Sequence, residues 1–508
     1  MLHIPSASAH PLHDSATTRR LEAQAGAGLP AHTLMQRAGA AAARLARALA
    51  PHARTVWIAC GAGNNGGDGL EAAAVLHAAG CCVAVTCLAD GPAHLPADAQ
   101  QSWQRARQAG VPFVQEPPPL GPQDLCVDAL LGLGLTPVPR RGSPDPHLLR
   151  CLDTLRTSAA PTLCLDLPSG LLADTGQYAP GLEPAGPPAS ARHTLSLLTL
   201  KPGLFTAHGR DAAGRVWFDS LGVDAADADA CAWLASAPPA RLRLHDSHKG
   251  TYGDVAIVGG EGAALRGMGM AGAALLAASA ALHAGAGRVL VSLLDDPLDA
   301  TALASRLPEC MPRRFDTLAL ERATVVAGCG GGAAIVPLLG RILEDAHQLV
   351  LDADALNAIA ADWALERALA DRAHRPLCTT VLTPHPLEAA RLLGRDTAAV
   401  QADRLGAARA LAERYGCTVV LKGSGSIVAA PGRAPLVNPT GNARLATAGT
   451  GDVLAGLIGA RLAGAPKGDD AAFRAAAVAC WQHGAVADGW PLHQPLTAGS
   501  LARALTPW

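Results

Sequence analysis

Aromatic residues are scarce in this 508-residue chain, at 3%, which leaves few rings on which single-stranded nucleic acid could stack. The formal net charge is only −2 and there is no block of basic residues, so nothing favours a nucleic-acid or membrane-surface partner. Charged residues make up 17% against 49% hydrophobic, the balance of a globular chain and not of a disordered one. Long apolar runs are missing too. The most apolar helical stretch, 268–286, is rich in small residues and passes straight into a strand-like segment, so it reads as a buried helix and not as a membrane span.

The thirteen cysteines form no C-x-x-C pair, and Cys60, Cys126, Cys164 and Cys329 sit in or beside apolar strand-like runs. Buried, reduced thiols are the reading that follows. Residues 1–17 show no charged-then-apolar signal pattern, and a cytoplasmic protein is expected. No short repeat of solenoid type is present.

What the chain does have is alternation. Short β-rich runs alternate with Ala/Leu-rich helical runs, the pattern of parallel sheets covered by helices. Strands are expected over 55–60, 82–88, 125–130, 162–167 and 194–198, then over 254–259, 288–293, 324–328, 348–352, 379–382, 418–421 and 426–429. Between these sets an Ala/Asp/Pro-rich stretch has little β signal, which places a linker over 226–239 between domains spanning 1–225 and 240–508. Helices are expected over 40–50 and 402–413.

The most chemically loaded segment is Gly449-Thr450-Gly451-Asp452, a glycine-rich turn that delivers one carboxylate at the start of an apolar helical run. Such a turn lets backbone N–H groups approach a phosphate, and the helix N-terminus favours negative charge. A carboxylate there suits handling of a proton or a magnesium ion; read alone, the motif is equally a capped helix start. Company elsewhere argues for chemistry. The strand at 56–60 runs into Gly61-Ala62-Gly63-Asn64-Asn65-Gly66-Gly67-Asp68-Gly69, with a helical run from Leu70. Asp128 and Asp166 end two further strands, each beside glycines. In a parallel sheet such strand ends share one edge and converge on one crevice, although singly each acidic residue reads as a loop cap. Lys201, in Leu200-Lys201-Pro202-Gly203, reads first as an exposed lysine, with a place facing the same crevice as the alternative. In the second half, Asp352, His385 and Lys422 follow strands in the same way. A histidine between prolines such as His385 is usually a loop residue with a satisfied ring; its register with the other strand ends argues for ligand contact.

The runs GAGNNGGDG, VDALLGLG, LDLPSGLLADTG and LTLKPG resemble the epimerase domain of the NAD(P)H-hydrate repair enzymes over about residues 15–225. The resemblance implies a Rossmann-like three-layer α/β/α sandwich that interconverts the R and S epimers of hydrated NADH and NADPH. It implies potassium at Asn65, Asp128 and Ser169, an oxygen-rich set that suits a hard cation. The ligand is then held by Asn64, Asn65, Gly66, Gly67 and Asp68, by Gly132, Leu133, Gly134, Leu135, Thr136, Pro137 and Val138, and by Asp166, the candidate acid/base. The loop 134–141 carries two prolines where that family begins Gly-Thr-Gly.

The runs HKG, LDADALN, TPHPLEAARLLG, VVLKGSGS and ATAGTGDVLAG resemble the dehydratase domain of the same enzymes, itself similar to ribokinase-like kinases, over about residues 240–508. The resemblance implies ADP- or ATP-dependent dehydration of the S epimer to NADH or NADPH, with magnesium. Hydrated nucleotide would touch Ala273, Gly330, His385 and Asp452; adenine nucleotide would touch Lys422, Gly423, Ser424, Gly425, Ser426 and Gly451. By analogy with kinases, Asp452 takes the proton of the ring hydroxyl, N–H groups near Gly449 and Gly451 stabilise the transferring phosphoryl, and the phosphorylated hydroxyl leaves. The loop 259–267 is longer than usual in that family, and 328–332 replaces Gly-Pro-Gly-Leu-Gly. A homo-oligomer is expected. Two alternatives stand: a ribokinase-like small-molecule kinase fused to a nucleotide-binding module, and a non-catalytic scaffold, which has no use for an oxygen-lined crevice.

Overall fold

The computed structural model describes the whole chain except residues 6–7, 139–143, 241, 264–266, 268, 295–304, 467, 469 and 508. Parts of the loops 134–141 and 259–267, and the first residue of the stretch 268–286, thus lie outside the described residues. Two compact units emerge, Met1–Trp233 and Leu234–Trp508. The strand Ala232–Leu234 falls inside the stretch read as linker, so that stretch is not structureless. Among the described residues, no helix is long and apolar enough to cross a membrane.

In the first unit the sheet runs, in spatial order, Leu2–Ile4, Arg215–Asp219, Arg192–Leu197, Thr162–Leu165, Leu125–Ala129, Val56–Cys60 and Val83–Cys87. All neighbours are parallel except the antiparallel edge strand Leu2–Ile4. The strands are apolar on both faces because both are covered. Val56, Ile58 and Cys60 pack with Leu70, Leu76, Ala42 and Leu45 on one side, while Trp57 and Ala59 pack with Leu148, Cys151, Leu152 and Leu155 on the other. This is the expected three-layer sandwich. Val56–Cys60, the first parallel strand, lies between the second and third, so strand order reverses beside it, and the loops leaving it and Leu125–Ala129 diverge there. That reversal is where open α/β sheets leave a ligand crevice.

The glycine-rich run after Val56–Cys60 is not the loop expected from its composition. The helix begins at Asn64 and runs to Ala78, in place of the expected start at Leu70. Helix propensity disfavours glycine, but packing overrides it: a Cβ on Gly66 would lie 1.9 Å from the Gly61 carbonyl oxygen. The first turn therefore fits beneath its own loop only without a side chain.

In the second unit the order is Met311–Pro312, Arg288–Leu294, Asp254–Glu261, Thr324–Ala327, Gln348–Leu351, Thr379–Leu382, Thr418–Leu421, Ile427–Ala429 and Leu436–Val437. The pairings are parallel as far as Thr418–Leu421. The last two strands are antiparallel, against the wholly parallel expectation. Only five residues separate Thr418–Leu421 from Ile427–Ala429, too few for a parallel crossover. Val255, Ile257, Val326, Val350, Val381 and Val420 face the helices Ala271–His283, Thr450–Ala463 and Ala471–Asp488 in one buried cluster. Here too the first strand of the parallel set, Asp254–Glu261, has its successors on opposite sides, with the loop 328–335 at the reversal.

Candidate active sites

In the first unit a cavity of about 590 Å³ opens at the strand-order reversal, lined by Asn64, Asn65, Asp68, Gly132, Leu133, Gly134, Leu135, Asp166 and Lys201, with Glu22 and Met35 from the preceding helices. Of the residues singled out in the sequence for this unit, Gly66, Gly67, Asp128, Thr136, Pro137, Val138 and Ser169 do not line it. Gly66 and Gly67 are buried packing positions, and Val138 is 66% exposed.

Asp166 follows the strand Thr162–Leu165 with φ +63°, a left-handed conformation that is costly for a residue bearing a Cβ. The turn is held by Asp166 N–H donating to Leu195 O (2.8 Å) and Leu197 N–H donating to Asp166 Oδ1 (3.1 Å). Its main partner is Lys201, whose ammonium donates to Asp166 Oδ1, to Leu197 O (2.7 Å) and to Ser196 Oγ (3.5 Å). Lys201 is fully buried. The reading of an exposed lysine is therefore overturned: a buried ammonium needs a counter-charge and acceptors for its protons, and all are supplied here.

Around this pair the cavity is acidic. The Asp68 carboxyl is pushed well above the usual range by burial and by the negative charges of Asp166, Glu22 and Glu71, against the pull of Lys201. Glu22 is raised by desolvation and by Asp166. Deeper in, Ser169 Oγ–H donates to Asp128 Oδ1 (2.5 Å) and Ser169 N–H to Asp128 Oδ2 (2.9 Å). Both Asn65 side-chain polar atoms are buried without a hydrogen-bond partner among the described residues. An orphaned carboxamide so placed suits a water, an ion or a ligand group as its partner.

The second unit gathers its chemistry at the carboxyl edge of the sheet. Asp352, buried after Gln348–Leu351, accepts from Lys422 Nζ (2.6 Å) and Thr383 Oγ1 (2.8 Å). Lys422 also stands 4.0 Å from Glu388. Burial works against its charge, but Asp352 and Glu388 outweigh that and hold its pKa above the ordinary value. Asp452 lies in the first turn of Thr450–Ala463. It joins Cys329 and Asp352 in a trio whose thiol and carboxylate oxygens lie within 4.8 Å of one another. Burial, then the charge of Asp352, raises Asp452 to about 6. The same neighbours and burial push the Cys329 thiol well up.

The turn before Asp452 is built as its glycines suggest. Gly449 caps the helix at φ +89° without any side-chain cap, which leaves first-turn N–H groups for an anion. A Cβ on Gly451 would sit 3.5 Å from Lys422 Nζ, so the amine reaches this corner. His483, lowered to about 4 by burial, hydrogen-bonds the Thr450 carbonyl oxygen (2.9 Å) and anchors the turn. Gly330 and Ala273 also meet, since a Cβ on Gly330 would lie 2.8 Å from that of Ala273.

His385 has a structural duty that the sequence did not reveal. Its Nδ1 accepts from Leu387 N–H (3.1 Å) and Glu388 N–H (3.3 Å), while Glu388 Oε2 accepts from His385 N–H (2.8 Å), a reciprocal helix cap. Its Nε2 nonetheless lies 3.2 Å from Glu388 Oε1 and is half-exposed. Burial raises Glu388 to about 7, with Asp352 adding to the shift and Lys422 opposing it. Glu261, another residue the sequence did not single out, is buried and accepts from Ala333 N–H (2.9 Å) and Ala334 N–H (3.1 Å), which pins the glycine loop 328–332 at the reversal.

Comparison with known proteins decides the family. A family model described as NAD(P)H-hydrate dehydratase matches residues 257–506, and one described as YjeF-related protein N-terminus matches residues 31–203. The bifunctional NAD(P)H-hydrate repair enzyme Nnr of Escherichia coli (strain K12) is 37% identical over 91% of this chain and 85% of its own length. The chain belongs to the bifunctional NAD(P)H-hydrate repair enzymes. The ADP-dependent (S)-NAD(P)H-hydrate dehydratase of Neisseria meningitidis serogroup B is 45% identical over 53% of this chain and 87% of its own. A solved ADP/ATP-dependent NAD(P)H-hydrate dehydratase from Bacillus subtilis is 29% identical over 52% of this chain and 91% of its own, with a TM-score of 0.43. Membership in the repair enzymes sets aside both the small-molecule kinase and the scaffold, and it joins an epimerase part to a dehydratase part in one chain.

Proposed function

We propose that the two sites divide the repair of hydrated nicotinamide nucleotides between them. The first epimerises R and S hydrated NADH or NADPH at Asp166; the second dehydrates the S epimer at Asp452 with ADP or ATP. The observation that carries the reading is the pair of carboxylates at the carboxyl edges of two sheets, each set among opposite and like charges that tune it. Cytoplasmic placement is part of the proposal and agrees with buried thiols such as Cys60, Cys126, Cys164 and Cys329 remaining reduced.

In the first site Asp166, fixed in place by Lys201, faces the hydroxyl-bearing ring carbon and exchanges a proton with the reacting oxygen. Asn64 and the loop of Gly132, Leu133, Gly134 and Leu135 flank the nucleotide. The orphaned Asn65 side chain, with Asp128 and Ser169, fits potassium by its all-oxygen chemistry. Potassium would supply positive charge that steadies bound phosphate and hydroxyl.

In the second site a base with a pKa near 6 is well matched to take a hydroxyl proton at neutral pH. The uncapped N–H groups after Gly449, together with Lys422, receive the phosphoryl group. Magnesium would supply positive charge that offsets the nucleotide's phosphates. Gly423, Ser424, Gly425 and Ser426 form the hairpin beside Lys422 and lie against the adenine nucleotide, while Ala273, Gly330 and His385 border the hydrated ring. The phosphorylated hydroxyl leaves as phosphate, helped by the ring nitrogen, and loss of a proton from the neighbouring ring carbon then forms the ring double bond and completes dehydration.

The test separates the halves. Purified S epimer with magnesium and ADP should yield reduced nicotinamide, and R epimer without nucleotide should yield an R/S mixture. Failure of both reactions contradicts the proposal.

A further inference from the structure

The first cavity holds a carboxyl that the mechanism above leaves idle. Asp68 rises from the helix Asn64–Ala78 into the same cavity as Asp166, yet no hydrogen bond to its side chain is found among the described residues. The two carboxyls have opposite surroundings. Asp166 is tied down, with a buried ammonium and a backbone N–H both donating to Oδ1. Asp68 faces the negative charges of Asp166, Glu22 and Glu71, and only the already engaged Lys201 opposes them. Two carboxyls with environments pushed apart in this way serve as an acid and a base.

We infer that Asp68 is a second catalytic residue of the epimerase, a general acid that works with Asp166 across the nicotinamide ring by loss and re-addition of water. This inference rests on the epimerase reading above. The step balances. Asp68 gives its proton to the hydroxyl on the carbon next to the ring nitrogen; the carbon–oxygen bond breaks, water departs, and the nitrogen lone pair forms the carbon–nitrogen double bond. Water then adds to the opposite face of that carbon and yields its surplus proton to the Asp166 carboxylate. The configuration inverts with no oxidant or reductant, and the exchanged protonation states are those needed for the reverse reaction or are reset through solvent.

Two measurements on the full chain, without added nucleotide so that dehydration is idle, test the inference. In heavy-oxygen water, wild-type protein should place the label in the ring hydroxyl at the rate of epimerisation; epimerisation without label would overturn the inference. Asp68→Asn should lower kcat roughly 10²–10⁴-fold with KM within a few-fold, and Asp68→Glu should restore part of it. An Asp68→Asn protein that dehydrates S epimer normally when ADP is added, and still epimerises at close to the wild-type rate, would equally overturn it. If wild-type protein does not epimerise at all, the epimerase reading itself fails, which is a different result.

Discussion

Lys201 donates its ammonium hydrogen to the carboxylate of Asp166 from thirty-five residues further along the chain, and neither group makes this contact by local geometry. The pair is almost wholly removed from solvent. Breaking such a pair by removing one partner leaves an uncompensated buried charge. Lys201→Met should therefore destabilise the first unit by about 3–5 kcal/mol and abolish epimerisation, while dehydration of S epimer persists. Thermal melting and the two separate assays check this; a Lys201→Met protein with normal epimerisation would show that the ammonium is only a packing element.

Asp452→Asn should abolish dehydration and leave epimerisation intact, and retained dehydration would remove Asp452 from the role of base. The same substitution should stabilise the second unit at pH 8. The folded pKa of Asp452, about 6, lies above its ordinary 3.8, so its ionised form is disfavoured by folding at every pH above that window. The gain from Asn is on the order of 1–3 kcal/mol; it should shrink as pH falls from 6 towards 4 and vanish only below the ordinary 3.8, where wild-type Asp452 is neutral in both states. Melting of the two proteins across that range decides.

The same group sets the rate profile. A base must be unprotonated to accept a proton, so kcat/KM for S epimer should fall about tenfold per pH unit below roughly 6. Initial rates at saturating ADP, against an Asp452→Glu control, give the limb; a profile flat down to pH 5 would place the base elsewhere.

Two neighbouring glycines should behave oppositely. A Cβ on Gly66 meets the Gly61 carbonyl oxygen at 1.9 Å, whereas one on Gly63 meets nothing within 4 Å. Gly66→Ala should cost about 1–3 kcal/mol or more and impair epimerisation, and Gly63→Ala should do neither. Equal effects in a melting comparison would contradict the packing account of this turn.

These contrasts also mark what the sequence makes legible. Apolar strand cores such as Val56–Cys60 and Thr418–Leu421 were readable because strands covered on both faces stay apolar throughout, and the strand ends that carry Asp128, Asp166 and Asp352 could be placed on sheet edges, as could the helix start that carries Asp452. The start of the helix at Asn64 was not readable, because glycine there answers to the Gly61 carbonyl overhead and not to helix propensity. Lys201 was half readable: a place facing the crevice was one of its two readings, but the Leu200-Lys201-Pro202-Gly203 run gives no local sign that its ammonium folds back on Asp166. The strand Arg215–Asp219 escaped notice for a like reason, since it is only partly buried and gains its place by pairing with Arg192–Leu197. The helix-capping role of His385 went unread because it depends on backbone geometry shared with Glu388 three residues on. Each miss is a contact made across the fold or by backbone geometry.

The division of labour between the two carboxylates is tested most directly by stoichiometry. An equal mixture of R and S hydrated NADH is given to wild-type protein and to Asp166→Asn, with magnesium and ADP, and reduced nicotinamide is followed by its absorbance. Wild-type protein should recover all of the NADH. Asp166→Asn should recover the S half at the wild-type rate and then slow to the pace of uncatalysed epimerisation. Full recovery by Asp166→Asn at the wild-type rate, or no recovery by wild-type protein with either ADP or ATP, would contradict the account.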